Sequence, residues 1–248
     1  MKVVVVGAGI IGASVAYQLA KAGAQVTVID GAGVAAGATG RSFGWINASF
    51  HADAAHFRLR AESMAAYHRL IEQMDMAPVR WTGCLCWDGH GTALETQAAE
   101  LDALGYEVEI IDRAGFAARE PHVANPPEQA LAFDTEGVAE TAPMAQTLMN
   151  AATALGAQVL LGVAVQGIET QGDTVTGVRI EQGVIPADRV VICGGTGSPA
   201  VLSSVGVTLP TINPTIWNTC PNAPMCWQRP PWPGFRRCCP RWPCVGNR

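Results

Sequence analysis

The hydrophobic positions of the first thirty residues predict a strand, a helix and a second strand. Val3–Val6 is a continuous apolar run, as expected of a strand that is buried on both faces. Residues 10–22 have the pattern of a helix, which Gly23 ends. A second apolar run, residues 25–29, predicts a strand that leads into Asp30. This order of elements is typical of the βαβ unit that begins a parallel sheet.

Three glycines separate the first strand from the helix, and their spacing is G-x-G-x-x-G. Such glycines allow a tight turn, a close approach of the backbone to a pyrophosphate, and close packing of the helix on the strand. The N-terminus of the helix offers N–H groups to phosphates, and an acidic residue after the second strand can bind a ribose hydroxyl. The pattern therefore predicts a dinucleotide site formed by Gly7, Gly9, Ile10, Ile11, Gly12 and Asp30. The motif alone serves NAD as well as FAD.

Residues 31–50 form a long segment with five glycines and little helical or strand periodicity. A loop of this length inside a compact domain is usually functional or disordered. Its small residues allow close contact with a ligand, Thr39 and Ser42 carry hydroxyls, and Arg41 carries a charge that suits phosphate. A solvated loop rarely contains as many large apolar side chains as this one, which has Phe43, Trp45, Ile46 and Phe50.

The segments GAGIIG and GATGRS, with Asp30 between them, resemble the amino-acid-oxidase family of FAD-dependent oxidoreductases. That family includes D-amino-acid oxidases and dehydrogenases, glycine oxidase and sarcosine oxidase. Its second loop lies along the flavin pyrophosphate, so the resemblance implies FAD contacts for Thr39, Gly40, Arg41 and Ser42. The resemblance also places Val165, in a predicted strand, against the adenosine, and Gly194, which follows the last predicted strand, close to the cofactor. The second loop is the feature that favours FAD over NAD.

Further helices and strands are predicted along the rest of the chain. Helices are predicted at 53–75, 92–104 and 141–155, with a helical turn at 112–120. Strands are predicted at 79–87, 107–111, 130–133, 158–161 and 189–192, and residues 164–169 with 174–180 form a hairpin. Thr141 is the predicted N-cap of the third helix, and its buried stripe is Met144, Leu148, Ala152 and Leu155. The resemblance implies an FAD domain made of 1–52 and 141–210, while 53–140 is a helical segment and the start of a substrate domain.

The composition restricts the partners that we expect. The chain has 248 residues, of which 49% are hydrophobic, so it can bury a sizeable core. Its formal net charge of −5 argues against nucleic acid as a partner. No apolar run approaches the length of a membrane span or of a signal-peptide core, so we expect a cytoplasmic protein. Neither the scattered histidines nor Cys84 and Cys86 have the spacing of a metal site, and no metal is predicted.

The last 38 residues, 211–248, differ in composition from the rest of the chain. They contain four of the seven tryptophans, five of the eight cysteines, eight of the sixteen prolines and no acidic residue. Prolines at this density interrupt regular structure, and the cysteine spacing does not fit a zinc site. The sequence therefore predicts an irregular, disordered tail. Its composition leads to the hypothesis that a frameshift replaces the end of a longer oxidoreductase.

These patterns predict an α/β fold, with a Rossmann-type FAD-binding domain, a mostly parallel sheet, and an incomplete α+β substrate domain. The resemblance implies oxidation of the C–N bond of a small-molecule amino acid or related amine, by hydride transfer to FAD. We name no catalytic acid or base, because in such chemistry the cofactor carries out the difficult step. The family's substrate-binding arginine belongs to the part that we expect to be missing. We therefore expect weak turnover or none. An NAD(P)-dependent dehydrogenase and a non-catalytic nucleotide-binding remnant stay open as alternatives.

Overall fold

A computed structural model describes residues 1–74, 78–89 and 91–210 of the chain. The strands are β1 Lys2–Val6, β2 Gln25–Asp30, β3 Trp45–Ile46, β4 Val79–Arg80, β5 Cys84–Cys86, β6 Glu109–Asp112, β7 Gln129–Phe133, β8 Gly137–Ala139, β9 Gln158–Leu161, β10 Gly167–Gln171, β11 Thr174–Ile180, β12 Gly183–Pro186 and β13 Arg189–Ile192. The helices are α1 Ile10–Lys21, α2 Ala54–Met74, α3 Thr92–Ala103, α4 Arg113–Arg119, α5 Thr141–Ala154 and α6 Ser198–Leu202. The prediction for the tail, 211–248, lies outside the described residues.

Two compact units make up the described chain. Of the described residues, the first unit contains 1–43 and 140–210, and the second contains those of Gly44–Ala139. The division of the chain into an FAD domain and a substrate domain, with the boundaries expected from the sequence, stays a prediction.

The first unit is built on a parallel sheet with the strand order β13–β1–β2–β9. Val3–Val6 are buried because β1 lies in the middle of this sheet, which is why that run is apolar at every position. Helices α1 and α5 pack against each other, and α1 buries mostly small side chains, Ala13, Ala16 and Ala20 among them. The predicted α/β fold with a βαβ start is therefore confirmed.

A second, antiparallel sheet of the first unit has the order β10–β11–β12. The predicted hairpin accounts for β10 and β11, whereas β12 was not expected from the pattern. Val4 and Val6 of β1, Ile29 of β2 and Val178 of β11 share one apolar cluster with Ala187, which connects β12 to β13. Burying a valine or isoleucine contributes about 1.5–3 kcal/mol, so this cluster stabilises the position of the carboxyl ends of β1 and β2.

Two antiparallel sheets form the second unit, with the orders β3–β8–β4 and β5–β7–β6. The strand predicted at 79–87 is wrong as a single element, because β4 and β5 belong to different sheets. Gly83 lies between them with a φ of +71°, and its N–H donates to the Glu136 carbonyl oxygen at 2.9 Å. Glycine adopts this left-handed conformation readily, and the turn at Gly83 redirects the chain from β4 to β5. Cys84 and Cys86 of β5 are free cysteines.

Two details of the predicted third helix are corrected by the structure. Glu140 is the N-cap residue of α5, and Thr141 is already helical. Leu155 is half exposed, because α5 ends at Ala154 and Leu155 caps its C-terminus instead of continuing its buried stripe. The other three members of that stripe, Met144, Leu148 and Ala152, are buried as predicted. Gly156 follows with a φ of +94°, a conformation that suits a helix stop.

Candidate cofactor site

The glycine turn lies at the carboxyl end of β1, where parallel α/β sheets bind their ligands. The Gly7 N–H donates to the Ile29 carbonyl oxygen of β2 at 2.8 Å, and the Cys193 N–H donates to the Val6 carbonyl oxygen at 2.7 Å. A Cβ atom on Gly7 would lie 2.6 Å from the Cys193 carbonyl carbon and 3.0 Å from the Gly194 nitrogen. Gly7 and Gly194, which are 187 positions apart in the sequence, are therefore neighbours at one edge of the sheet.

Gly12 allows α1 to lie directly on the glycine turn. A Cβ atom at Gly12 would be 2.9 Å from the Gly7 carbonyl carbon, closer still to the Gly7 carbonyl oxygen, and 3.3 Å from the Cys193 Cβ. No side chain fits in this space, so the third glycine has the packing function that its spacing predicts.

The N-terminus of α1 has the features of a phosphate-binding position. Gly9 is the extended N-cap residue, and a Cβ atom there would lie 3.1 Å from Thr39 Oγ1. The first four N–H groups of a helix have no acceptor within it, and here Thr39 Oγ1 accepts from the Ile10 N–H at 3.0 Å. Ile11, on the first turn, is 64% exposed, and its contact with the cofactor stays a prediction. The residues at this position therefore fit a dinucleotide pyrophosphate.

Asp30 organises the loops around it through hydrogen bonds to three backbone N–H groups. Its Oδ2 accepts from the Ala8 N–H at 2.8 Å, and its Oδ1 accepts from the N–H groups of Ala32 at 2.8 Å and Gly33 at 2.9 Å. An ionised carboxylate has about four acceptor positions, so a position on Oδ2 can still accept from a ribose hydroxyl. The spacing did not predict these three backbone donors, and the contact of Asp30 with a ribose stays a prediction.

The second loop is the segment that ends in GATGRS, residues 37–42, and hydrogen bonds connect it to the glycine turn. The Ala35 N–H donates to the Ala8 carbonyl oxygen at 3.0 Å, and the Gly40 N–H donates to the Ala35 carbonyl oxygen at 3.0 Å. The Thr141 hydroxyl donates to the Thr39 carbonyl oxygen at 2.6 Å. Ala35 has a φ of +58°, and holding a non-glycine residue in this conformation costs about 1–3 kcal/mol. Because several hydrogen bonds converge on this loop, its conformation is strongly determined.

Arg41 and Ser42 end the second loop. Arg41 Nη1 donates to the carbonyl oxygens of Ala36 at 2.7 Å and Gly37 at 2.8 Å, so this nitrogen binds the loop's own backbone. The Ser42 N–H donates to the Thr39 carbonyl oxygen at 3.2 Å. The contacts of Thr39, Gly40, Arg41 and Ser42 with FAD stay predictions.

The segment that contains Val165 lies beside the carboxyl end of β2. The Val163 N–H donates to the Asp30 carbonyl oxygen at 3.0 Å, and a Cβ atom on Gly31 would lie 3.8 Å from Ala164 Cα. Val165 itself packs against the apolar cluster of the first unit. It lies in the connection between β9 and β10, so the prediction that it belongs to a strand is wrong. Val163, two positions before it, is the residue that contacts Asp30, and the adenosine contact of Val165 stays a prediction.

The histidines of the second unit take part in local contacts. His51 Nδ1 lies 3.2 Å from the Ala48 carbonyl oxygen, His56 Nε2 accepts from Arg60 Nε at 2.9 Å, and the His68 ring stacks on Trp81 with 4.0 Å between centroids. In residues 1–74, 78–89 and 91–210, no group of three or more His, Cys, Asp and Glu side chains could hold a metal ion. Over the same residues, no helix is both long and apolar enough to cross a membrane.

The most buried charged side chain of the second unit escaped sequence reasoning. Glu136 is fully buried and accepts hydrogen bonds from Trp45 Nε1, the Ser49 N–H and the Tyr106 hydroxyl. Burial raises the pKa of its carboxyl above the ordinary value, and these hydrogen bonds oppose that shift. Burial, together with the negative charge of Glu136, also raises the pKa of Tyr106. No motif pointed to Glu136, because its partners lie 30–91 positions away in the sequence.

The glycine turn, the helix N-terminus, Asp30 and the second loop together define a dinucleotide-binding α/β protein. Comparison with known proteins gives the family: the chain belongs to the FAD-dependent oxidoreductases of the DAO family, whose model matches residues 2–242. This membership confirms the family that the sequence resembles and its cofactor, FAD.

Curated relatives include enzymes that act on amines. A D-amino acid dehydrogenase of Rhodopseudomonas palustris (strain HaA2) is 30% identical, and the match covers 85% of this chain and 63% of that protein. A 4-methylaminobutanoate oxidase (formaldehyde-forming) of Paenarthrobacter nicotinovorans is 28% identical, over 85% of this chain and 26% of that protein. The chain therefore spans less than two thirds of the length of these curated relatives.

Solved structures of similar fold include two amino-acid enzymes. Glycine oxidase from Bacillus cereus ATCC 14579 has a TM-score of 0.75 at 22% identity, over 82% of this chain and 57% of that one. L-Amino acid deaminase from Proteus myxofaciens has a TM-score of 0.78 at 26% identity, over 85% of this chain and 49% of that one. At 22% identity the glycine oxidase supports the fold alone.

Proposed function

We propose that the first unit binds FAD and that the protein oxidises the C–N bond of an amino acid or a related amine. The observation that carries this proposal is the convergence of three distant segments at the carboxyl ends of β1 and β2. These segments are the Gly7–Gly12 turn, Asp30, and the second loop that Thr39 connects to the N-terminus of α1. Membership in an FAD-dependent family supports FAD over NAD as the dinucleotide.

Each part of the site has a physical task in binding. The N–H groups at the start of α1 and the positive end of its dipole stabilise phosphate charge. The Asp30 carboxylate accepts from a ribose hydroxyl while its other acceptor positions hold the loops in place. FAD, when bound, supplies the acceptor for the hydride of the carbon that carries the nitrogen. The substrate class is taken from the relatives, whose names specify D-amino acids and 4-methylaminobutanoate.

Cofactor binding can be tested directly by titrating the purified, cofactor-free protein with FAD and with NAD. We expect flavin absorbance to co-purify with the protein after reconstitution and FAD to bind far more tightly than NAD. Gly9→Val places a β-branched side chain at the phosphate position and should weaken FAD binding by at least tenfold. Gln18→Val is the matched control, because it adds the same side chain at an exposed position two turns further along α1. Equal FAD affinity of Gly9→Val and the parent would contradict the site.

Turnover is a separate test. The reconstituted protein is assayed with D-amino acids, glycine, sarcosine and proline, using oxygen or an artificial dye as the electron acceptor. Turnover at about 1 s⁻¹ or faster, an ordinary enzyme rate, would support amine oxidation by this chain and contradict the weak activity expected from its sequence. Tight FAD binding without any turnover would instead favour the non-catalytic alternative. The cytoplasmic location stays a prediction.

A further inference from the structure

One hydroxyl group of α5 is bonded to the second loop and not to its own helix. Thr141 is the first helical residue of α5, and its hydroxyl donates to the Thr39 carbonyl oxygen at 2.6 Å. Two other threonines of α5, Thr147 and Thr153, donate to carbonyl oxygens four positions earlier in the same helix. The residue four positions before Thr141 lies outside the helix, so the hydroxyl at this first position is available to another segment.

Helix α5 gives the Thr141 hydroxyl a firm support. The helix packs against α1 and buries Met144, Ala145, Leu148, Met149 and Ala152. Thr141 and Thr39 are both partly buried, and both belong to the first unit. The Ser42 N–H also donates to the Thr39 carbonyl oxygen, at 3.2 Å, but Ser42 belongs to the loop and moves with it. Thr141 therefore connects Thr39 to a helix that is held in place by its own buried face.

The side chain of Thr39 faces the start of α1. Its Oγ1 accepts from the Ile10 N–H at 3.0 Å, and a Cβ atom on Gly9 would lie 3.1 Å from the same oxygen. A hydroxyl that accepts a hydrogen bond still has its own O–H to donate. The χ1 angle of threonine is stiff because its Cβ atom is branched, so the position of the Thr39 backbone largely sets where this O–H lies.

We propose that Thr141 is a positioning residue of the cofactor site, which holds the Thr39 carbonyl so that the Thr39 hydroxyl stands at the N-terminus of α1. There the hydroxyl donates to a phosphate oxygen of the dinucleotide, beside the N–H groups of the helix. The proposal rests on the proposed function, because it takes FAD as the ligand. A donor that is already in place loses little conformational freedom when the phosphate binds, and this raises affinity.

Four single variants separate the hydroxyl of Thr141 from its shape. Thr141→Val keeps the shape and removes the hydroxyl, while Thr141→Ser keeps the hydroxyl and removes the methyl group. Thr141→Ala differs from Thr141→Ser by the hydroxyl alone, and alanine favours helix, so this pair decides the question if valine disturbs the fold. Thr147→Val is the matched control, because it removes from the same helix a hydroxyl that is bonded within that helix.

Two quantities are measured on each variant of the full chain: amide hydrogen exchange without cofactor, and affinity for FAD. In Thr141→Val and Thr141→Ala the Ile10 and Ser42 amides, which donate to Thr39, should exchange at least about fivefold faster. The Gly7 amide, which donates to the Ile29 carbonyl oxygen, should exchange as in the parent. FAD affinity should fall about tenfold in these two variants and stay within about twofold of the parent in Thr141→Ser and Thr147→Val.

A double-mutant cycle shows whether Thr141 acts through Thr39. Thr39→Val removes the hydroxyl that meets the phosphate and should itself weaken FAD binding. In that background Thr141→Val should cause little further loss, because the hydroxyl that Thr141 positions is gone. Two losses that add in full would show that Thr141 acts independently of Thr39, and the proposal would be wrong.

Each remaining result also decides the proposal. Parental exchange of the Ile10 and Ser42 amides in both Thr141→Val and Thr141→Ala would overturn it, and so would faster exchange with parental FAD affinity. Thr141→Ser binding FAD as weakly as Thr141→Ala would show that the hydroxyl has no part in binding. If the parent itself fails to bind FAD, the proposed function is wrong and this role of Thr141 fails with it, whereas a failure confined to the Thr141 variants leaves the proposed function standing.

Discussion

Gly12→Ala tests the closest backbone contact of the candidate site with a single added methyl group. The Cβ atom would lie 2.9 Å from the Gly7 carbonyl carbon and closer still to the Gly7 carbonyl oxygen. Both atoms belong to the backbone of the glycine turn, so no side chain can rotate away to make room. Either α1 or the turn has to move.

The expected size of the effect follows from what α1 buries. Ordinary contact begins near 3.4 Å, so the helix must shift by about 1 Å or more, which loosens its packing on β1 and on α5. Overpacking of this kind typically costs 1–3 kcal/mol, and a clash with backbone belongs at the upper end. We therefore expect Gly12→Ala to lower the free energy of unfolding by about 3 kcal/mol.

Urea unfolding, followed by circular dichroism, measures this loss for the cofactor-free protein. Gly197→Ala is the matched control, because a Cβ atom there meets nothing within 4 Å and the residue has no positive φ. The control should unfold at the same urea concentration as the parent, whereas Gly12→Ala should unfold at a clearly lower one. If Gly12→Ala unfolds at the same urea concentration as Gly197→Ala, the close approach of α1 to the glycine turn is wrong.

Two further predictions concern the second unit. Burial, and then the charge of Glu136, raise the pKa of Tyr106 above its ordinary value of 10.0, so the folded state holds this proton more tightly than the unfolded state does. Its contribution to stability is complete below about pH 10 and is lost as the pH rises further. The free energy of unfolding should therefore fall more steeply with alkaline pH in the parent than in Tyr106→Phe, and parallel curves would contradict this. Phe116→Ala should cost about 3–5 kcal/mol in urea unfolding, because Phe116 is fully buried against Leu85, Ile111 and Ala132; a loss below 1 kcal/mol would show that this cluster collapses around the gap.

Much of the first unit could be predicted from local patterns. The apolar run at Val3–Val6, the glycine spacing and the stop at Gly23 all depend on neighbours within a few positions, and they predicted β1, α1 and β2 closely. Local patterns also predicted a single strand at 79–87, where the structure has β4 and β5 in different sheets. Periodicity cannot show that the left-handed turn at Gly83 directs the chain into another sheet. It also placed Leu155 in the buried stripe, where the helix had already ended.

By itself, the sequence determined the α/β class, the βαβ start and the position of the glycine turn, since short-range sterics and hydrophobic periodicity dictate these. Only the tertiary structure decided which distant groups meet. It paired Thr39 Oγ1 with the Ile10 N–H, gave Asp30 three backbone donors, and surrounded Glu136 with Trp45, Ser49 and Tyr106. Such hydrogen bonds join positions up to 91 residues apart, and their partners are set by how strands and loops pack after the chain has folded.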